Sequence, residues 1–492
     1  MTPAWRFDNT YARLPSFFFA RVEPTPSSAP RLVALNESLA RDLGLDPAAL
    51  ASPEGVDVLA GRAVPEGAEP LAMAYAGHQF GQFVPQLGDG RAILLGEVTD
   101  VRGHRYDIQL KGAGRTPFSR GGDGKAALGP VLREFLISEA MHALGIPTTR
   151  SLAAVTTGDR VMREAILPGA VLTRVALSHV RVGTFQFFAA RGNVEGLRQL
   201  ADYAIARLDP DLADRPGRYR AFLDRVVARQ AALVARWLLV GFIHGVMNTD
   251  NMALSGETID YGPCAFMEAY DPRMVFSSID QFGRYAYANQ PTIAHWNLAR
   301  LAECFIPLLG DSKEAGLDEA KAAIERFPEL FQAAYGEGAA AKLGLASPRP
   351  DDLQLMQDLL DLMAAHGADF TLTFRRLCDA AEDPARDGWV RSALGGSDLF
   401  DGWDRRWRER LADDAASPAE RAARMRRANP LFIPRNHRVE EALGAAVEEG
   451  NLAPFHSLRA VLQRPFEDQP EHAAYAEPAP DGGRDYVTFC GT

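Results

Sequence analysis

The stretch His244 to Pro263, HGVMNTDNMALSGETIDYGP, constrains this chain more than any other. A polar loop with His244, Asn248, Thr249, Asp250 and Asn251 precedes a short apolar run. A Ser255-Gly256 turn follows, then a second short run that ends on Asp260-Tyr261-Gly262. Two short runs about such a turn read as a hairpin with Asn251 and Asp260 side by side at one end. An amide and a carboxylate beside a second carboxylate suit a hard cation, Mg2+ or Mn2+, holding a nucleotide's phosphates. Any fold for this chain has to keep that group together.

Length sets how much can be built around it. At 492 residues, and roughly 150 residues per domain, the chain has room for about three units or one two-lobed enzyme with extensions. Hydrophobic residues at 47% and charged residues at 24% are ordinary for a folded protein. A formal net charge of -11 gives no basic footprint for nucleic acid. No window approaches the run of about 20 apolar residues that a membrane span needs. The start, MTPAWRFDNTYARLP, lacks a charged-then-apolar signal pattern. These features predict a cytoplasmic monomer with no nucleic-acid or membrane partner.

Four cysteines, Cys264, Cys304, Cys378 and Cys490, are too few and scattered for a disulfide framework, and no CxxC pair suggests zinc. Cys304 and Cys378 fall in helical patterns as small apolar groups. Cys264 and Cys490 read either as unrelated thiols or as a redox pair in which a mobile tail gates the site.

Along the chain, residues 1–66 carry a helical pattern from Leu32 to Leu45, a Pro/Ser-rich stretch from Pro24 to Pro30 and the start of a Gly/Pro cluster, and read as an extension. Residues 67–177 read as sheet-rich. Gly88-Asp89-Gly90 forms a turn before the strand Ala92 to Leu95, and the strand Tyr106 to Leu110 leads into Lys111 and the glycine-rich GAGRTPFSRGGDGKAAL. Helical spacing follows in VLREFLISEAMHALG, closed by Gly145 and Pro147. Strands are expected at Leu152 to Val155, Val161 to Ile166 and Val171 to Val175, with a Pro168-Gly169 turn. Residues 178–400 read as helical, with a long apolar pattern from Phe222 to Phe242 delivering the chain to His244. Residues 401–492 form a second extension whose Pro-rich, acidic Glu467 to Gly483 reads as a surface-draped or mobile tail.

A strand lysine and helix glutamate in a sheet-rich half, followed by a polar metal loop in a helical half, is the α+β, two-lobed layout of a protein kinase. In kinases the lysine binds phosphates and pairs with the helix glutamate, H-R-D-L-x-x-x-N forms the catalytic loop, and D-F-G supplies a metal-binding Asp. Lys111, Glu134, His244, Asn251 and Asp260-Tyr261-Gly262 fall in that order. One position departs: two residues after His244, where a kinase has its catalytic Asp, stands Val246. Asp250, immediately before Asn251, is the nearby carboxylate that can replace it. His244 reads as an orienting residue; Glu134 could be a helix-surface acid, and only order along the chain favours its pairing with Lys111.

Six motifs point further: QLGDGRA (86–92), QLKGAGRTPFSRGGDGKA (109–126), REFLISEAMHALGIPTTRSLA (133–153), HGVMNTDNM (244–252), IDYGPCAFME (259–268) and FSSIDQFGRYAYANQP (276–291). With NPLFIPRNH and Cys490, the sequence resembles the selenoprotein O family, kinase-like protein adenylyltransferases, over nearly its whole length. The resemblance implies AMP transfer from ATP to Ser, Thr or Tyr hydroxyls of protein substrates, with ATP bound in the reverse sense to a kinase. It implies that Gly88, Gly90, Arg91, Asp123 and Gly124 line the nucleotide site. Lys111, Arg174 and Arg181 would neutralise phosphate, Asn251 and Asp260 would hold Mg2+ or Mn2+, and Asp250 would be the base. Glycine lets backbone N–H groups approach a ligand, whereas Asp123 would repel phosphate and suits a sugar or base instead. The lone cysteine of FCGT excludes a selenium-dependent role. Three other readings stand beside adenylylation: UMP transfer from UTP with Mn2+, a kinase moving the γ-phosphate, and a nucleotide-sensing pseudokinase scaffold.

Overall fold

In the computed structural model, which describes residues 5–396 and 398–488, the chain is mixed α+β and built on one antiparallel sheet. Its strands are β1 (Phe19–Arg21), β2 (Arg31–Leu35), β3 (Leu71–Met73), β6 (Ala92–Thr99), β7 (Arg105–Lys111), β8 (Ala126–Ala127), β9 (Arg150–Met162) and β10 (Ile166–Ala176). The order is β1-β3-β6-β7-β10-β9-β2, with β8 paired to β10, so strands from the first 35 residues form both edges. A separate hairpin joins β4 (Gly77–Gln79) to β5 (Gln82–Val84), and β11 (Phe242–Ile243) pairs with β12 (Ala265–Phe266).

Across the sheet lies the helix Leu128–Ala143, whose Phe135, Leu136, Ile137 and Met141 are fully buried. It ends where Gly145 turns left-handed at φ 77° and Ile146 N–H bonds back to Met141 O. Burial on all sides explains the polar residues that interrupt its apolar face: Arg133, Glu134 and Ser138 are buried against specific partners. The helices that follow include Val182–Ala189, Val194–Leu208 and Arg218–Leu239. The last delivers the chain through Gly241 (φ 73°) into β11 and His244. Among the described residues no helix is long and apolar enough to cross a membrane.

Local expectations shift in four places. The Leu32 to Leu45 helical pattern splits into strand β2 and the helix Glu37–Asp42, because Asn36 caps the helix by accepting Leu39 N–H at 3.2 Å. The strand expected at Leu152 to Val155 and the start of the one expected at Val161 to Ile166 are one continuous β9 that ends at Met162; the chain turns at 163–165, and Ile166 opens β10. Pro168-Gly169 is an irregularity within β10 where the register shifts, not a turn. A Cβ on Gly169 would lie 2.6 Å from Thr157 Oγ1, so only glycine lets the two strands approach there.

The central hairpin is likewise a turn whose arms pair elsewhere: Ala253 bridges to Arg181 and Thr258 to Thr148. Gly256 N–H still closes on Ala253 O. The whole stretch is a loop tied at its base by β11 and β12.

The Pro-rich tail is draped on the surface. Ala479 N–H bonds Glu268 Oε2, Arg435 holds Ala476 O, and Thr488 Oγ1 donates to Pro263 O at 2.7 Å. Cys264 is fully buried, and Cys490, the other half of the expected redox pair, lies outside the described residues.

Candidate active site

The end of β7 carries Lys111, β10 carries Arg174, and Arg181 precedes the helix Val182–Ala189 in an extended conformation fixed by its bridge to Ala253. All three cations converge on Asp260. Lys111 Nζ donates to Asp260 Oδ1 at 2.9 Å, Arg174 Nη2 to the same oxygen at 2.7 Å, and Arg181 Nη1 to Oδ2 at 2.9 Å. Glu134 completes the cluster, accepting from Lys111 at 2.5 Å and from Arg174 Nε at 2.8 Å. The glutamate is therefore an ion-pair partner, not a surface acid. Burial alone would raise Asp260 and Glu134, but the surrounding cations outweigh it and hold Asp260 well below the usual carboxylate range. Breaking one partner out of so buried a cluster is costly, on the order of 3–5 kcal/mol.

Asp260 adopts φ 65°, a left-handed conformation rare outside glycine, and the residues around it hold that shape. His244, fully buried and kept neutral by burial, pairs through Nε2 with Ile259 O at 2.9 Å. Tyr261 bonds the Thr148 hydroxyl. His244 thus orients the loop, and it is not among the residues that line the cavity.

Gly88, Gly90, Arg91, Lys111, Asp123, Gly124, Arg174, Arg181, Asp250, Asn251 and Asp260 all line one cavity of about 710 Å³. The glycines serve packing as well as access. A Cβ on Gly88 (φ 87°) would fall 2.4 Å from the Phe118 ring, and one on Gly124 would fall 2.0 Å from Gly114 O. Asp123 is engaged by Arg163 through two bonds of 3.0 and 3.1 Å, and that guanidinium lowers its pKa.

Asp250 is buried, and burial pushes its carboxyl up to about 6. Gln79 Nε2 donates to its Oδ2 at 3.2 Å, whereas its Oδ1 is buried with no hydrogen-bond partner among the described residues. Asn251 commits Nδ2 to Val246 O at 3.1 Å, so its Oδ1 is the amide's remaining acceptor. No group of three or more His, Cys, Asp or Glu among the described residues could hold a metal. Asn251 and Asp260 nevertheless fit a magnesium-like ion, which keeps several waters and takes few protein oxygens.

Several residues of the site carry no signal in the sequence alone. Asp89 accepts Met73 N–H and Gln109 Nε2 and lies 3.8 Å from Arg181; Tyr75 stacks under the Arg181 guanidinium, 4.8 Å from the ring centre. Arg133 bonds the carbonyls of Gly262 and Cys264. Gln79 and Arg163 line the cavity wall.

The profile of a family described as Protein adenylyltransferase SelO matches residues 3–463. A protein of Methylorubrum extorquens, named Protein nucleotidyltransferase YdiU, is 65% identical over 498 residues and aligns along the full length of both chains. Proteins of the same name from Bradyrhizobium diazoefficiens and Rhodopseudomonas palustris are 63% and 62% identical, again over the whole of each chain. The chain belongs to the SelO family and is a nucleotidyltransferase.

Proposed function

We propose that this enzyme transfers AMP from ATP to Ser, Thr or Tyr hydroxyls of protein substrates within a kinase-like pair of lobes, residues 67–177 and 178–400. The observation that carries this reading is the pairing of one cavity's two chemistries: three cations gathered on Asp260, and a buried carboxylate, Asp250, with one oxygen free of partners among the described residues. ATP carries close to four negative charges, and a divalent ion offsets only part of them.

Lys111, Arg174 and Arg181 take the β- and γ-phosphates, the arginines by planar two-point contacts and the lysine as a point charge. Asn251 and Asp260 hold Mg2+ or Mn2+, which when bound stabilises charge developing on the leaving group. The acceptor hydroxyl oxygen attacks the α-phosphorus, the bond from that phosphorus to the bridging oxygen of pyrophosphate breaks, and Asp250 Oδ1 takes the hydroxyl proton. With Val246 at the kinase base position, the proton acceptor moves to Asp250. Arg181 links the two ends, donating to both the Asp250 backbone carbonyl (2.8 Å) and Asp260.

Parallel incubation with α-labelled and γ-labelled ATP tests the reading. Protein label from the α-position alone is expected. Label from γ alone would make the enzyme a kinase, label from neither would leave a nucleotide-binding scaffold, and preferential incorporation from α-labelled UTP would change the nucleotide.

A further inference from the structure

The hairpin β4–β5 stands apart from the main sheet. An isolated two-stranded hairpin is marginal in water, so its conformation depends on what it packs against. Here that is the catalytic loop, met residue for residue. His78 N–H donates to Thr249 Oγ1 at 2.7 Å, Gln79 Nε2 to Asp250 Oδ2 at 3.2 Å, and Phe80 N–H to Asn248 Oδ1 at 3.0 Å. Three consecutive hairpin residues thus hold three consecutive loop residues.

Further features tie the two together. Gly77 sits against Asp250 so closely that a Cβ would fall 2.4 Å from Oδ1. The hairpin turns through Phe80 (φ 51°) and Gly81 (φ 86°), both left-handed, as a two-residue turn of the primed type requires. Phenylalanine is strained in that role. Its N–H is bound to the catalytic loop, and its ring lies 5.2 Å from Tyr285, whose hydroxyl donates to Asn248 Oδ1 at 2.6 Å. Strain that persists because neighbours over-determine it clusters at functional sites. Gln186 closes the arrangement from the side, accepting the Thr249 hydroxyl at 2.5 Å and pairing with His78 Nδ1 at 2.8 Å.

We propose that the β4–β5 hairpin sets the direction of the Asp250 carboxylate, with Gln79 as its positioning residue: Gln79 fixes Oδ2, and Gly77 leaves room for Oδ1. The proposal rests on Asp250 as the proton acceptor. Gln79 acts through Asp250 and has no part in holding phosphate, which Lys111, Arg174 and Arg181 do from elements the hairpin does not form.

Initial rates of α-labelled AMP incorporation across ATP concentrations test this in Gln79→Met, which keeps the length but removes the donor, and in Gly77→Ala, which crowds Asp250 Oδ1. Both should lower kcat about tenfold to a hundredfold, the cost of a small misplacement of a reacting group. The KM for ATP and the stabilisation of the fold by ATP should stay at wild-type values. An unchanged kcat in Gln79→Met overturns the proposal, as does a loss matched by an equal loss of ATP affinity. Asp250→Ala run alongside separates the two readings: full transfer by that variant removes the base assignment and the positioning role with it.

Discussion

Glu257 lies buried at the turn after Ser255-Gly256, bonded to the Ser255 hydroxyl and the Leu177 N–H. Burial pushes its carboxyl up to about 8 from an ordinary value of 4.5. A group whose pKa is raised by folding stabilises the native state fully below its unfolded pKa, and that contribution fades as pH rises toward the folded value. Glu257 therefore favours the fold below about pH 4.5, and the advantage is lost by about pH 8. Glu257→Gln, neutral at every pH, should flatten this decline. Denaturation midpoints at pH 5 and pH 8.5 are expected to converge in the variant, with roughly 3–5 kcal/mol at most separating the two proteins' pH responses. Equal pH dependence in both would refute it. At this scale Lys111 and Asp260 were legible from their types and their order along the chain, and Arg174 and Arg181 through the family resemblance; the three cations meet at the Asp260 carboxylate. Gln79 was not legible, because a glutamine acquires a role only when the fold brings it to a partner 171 positions away.

Among elements, the helix Leu128–Ala143 couples most parts of the site. Glu134 faces the cation cluster, and the neighbouring Arg133 reaches the other way, donating Nε to Gly262 O at 3.2 Å and Nη2 to Cys264 O at 2.6 Å. Its Nη1 is shared by Glu440 and the Tyr486 hydroxyl, so the helix clamps the segment after Asp260 and the C-terminal tail together. Arg133→Met should leave those carbonyls without their donors, at about 1–3 kcal/mol for each buried group. Lower thermal stability and a raised KM for ATP are expected together, since the loosened segment begins at Gly262. A variant with normal ATP KM would limit the clamp to stability. The helix itself was readable from its spacing and its Gly145 stop. The hairpin expected around Ser255-Gly256 was misread because its short arms find partners at Arg181 and Thr148, which periodicity within the stretch does not reveal. For the same reason β9 and β10 looked like broken strands: Pro168-Gly169 reads as a turn until the opposing Thr157 shows that a bulge fits there.

For the whole molecule, the cavity draws Lys111 and Arg174 from the sheet and Asp250, Asn251 and Asp260 from the loop that follows the helix Arg218–Leu239, so ligand binding stabilises both parts at once. A ligand that binds only the folded state adds about 2.7 kcal/mol at a hundredfold excess over its dissociation constant. On the proposed reading, ATP alone would place its charges beside the Asp260 carboxylate as well as the cations. Mg2+ held by Asn251 and Asp260 would offset that repulsion. On that reading the metal-dependent part of the thermal shift would belong to Asp260, and the metal-independent part to Lys111, Arg174 and Arg181. Thermal unfolding of wild type, Asp260→Asn and Asp250→Ala, each with no ligand, ATP, and ATP with Mg2+, separates them. Wild type and Asp250→Ala should gain more from ATP with Mg2+ than from ATP alone. Asp260→Asn should respond equally to both, because the asparagine removes the repulsion and the anchor for the ion in one change. A full magnesium increment in Asp260→Asn would move the ion to other ligands and detach it from the loop on which the proposed chemistry depends.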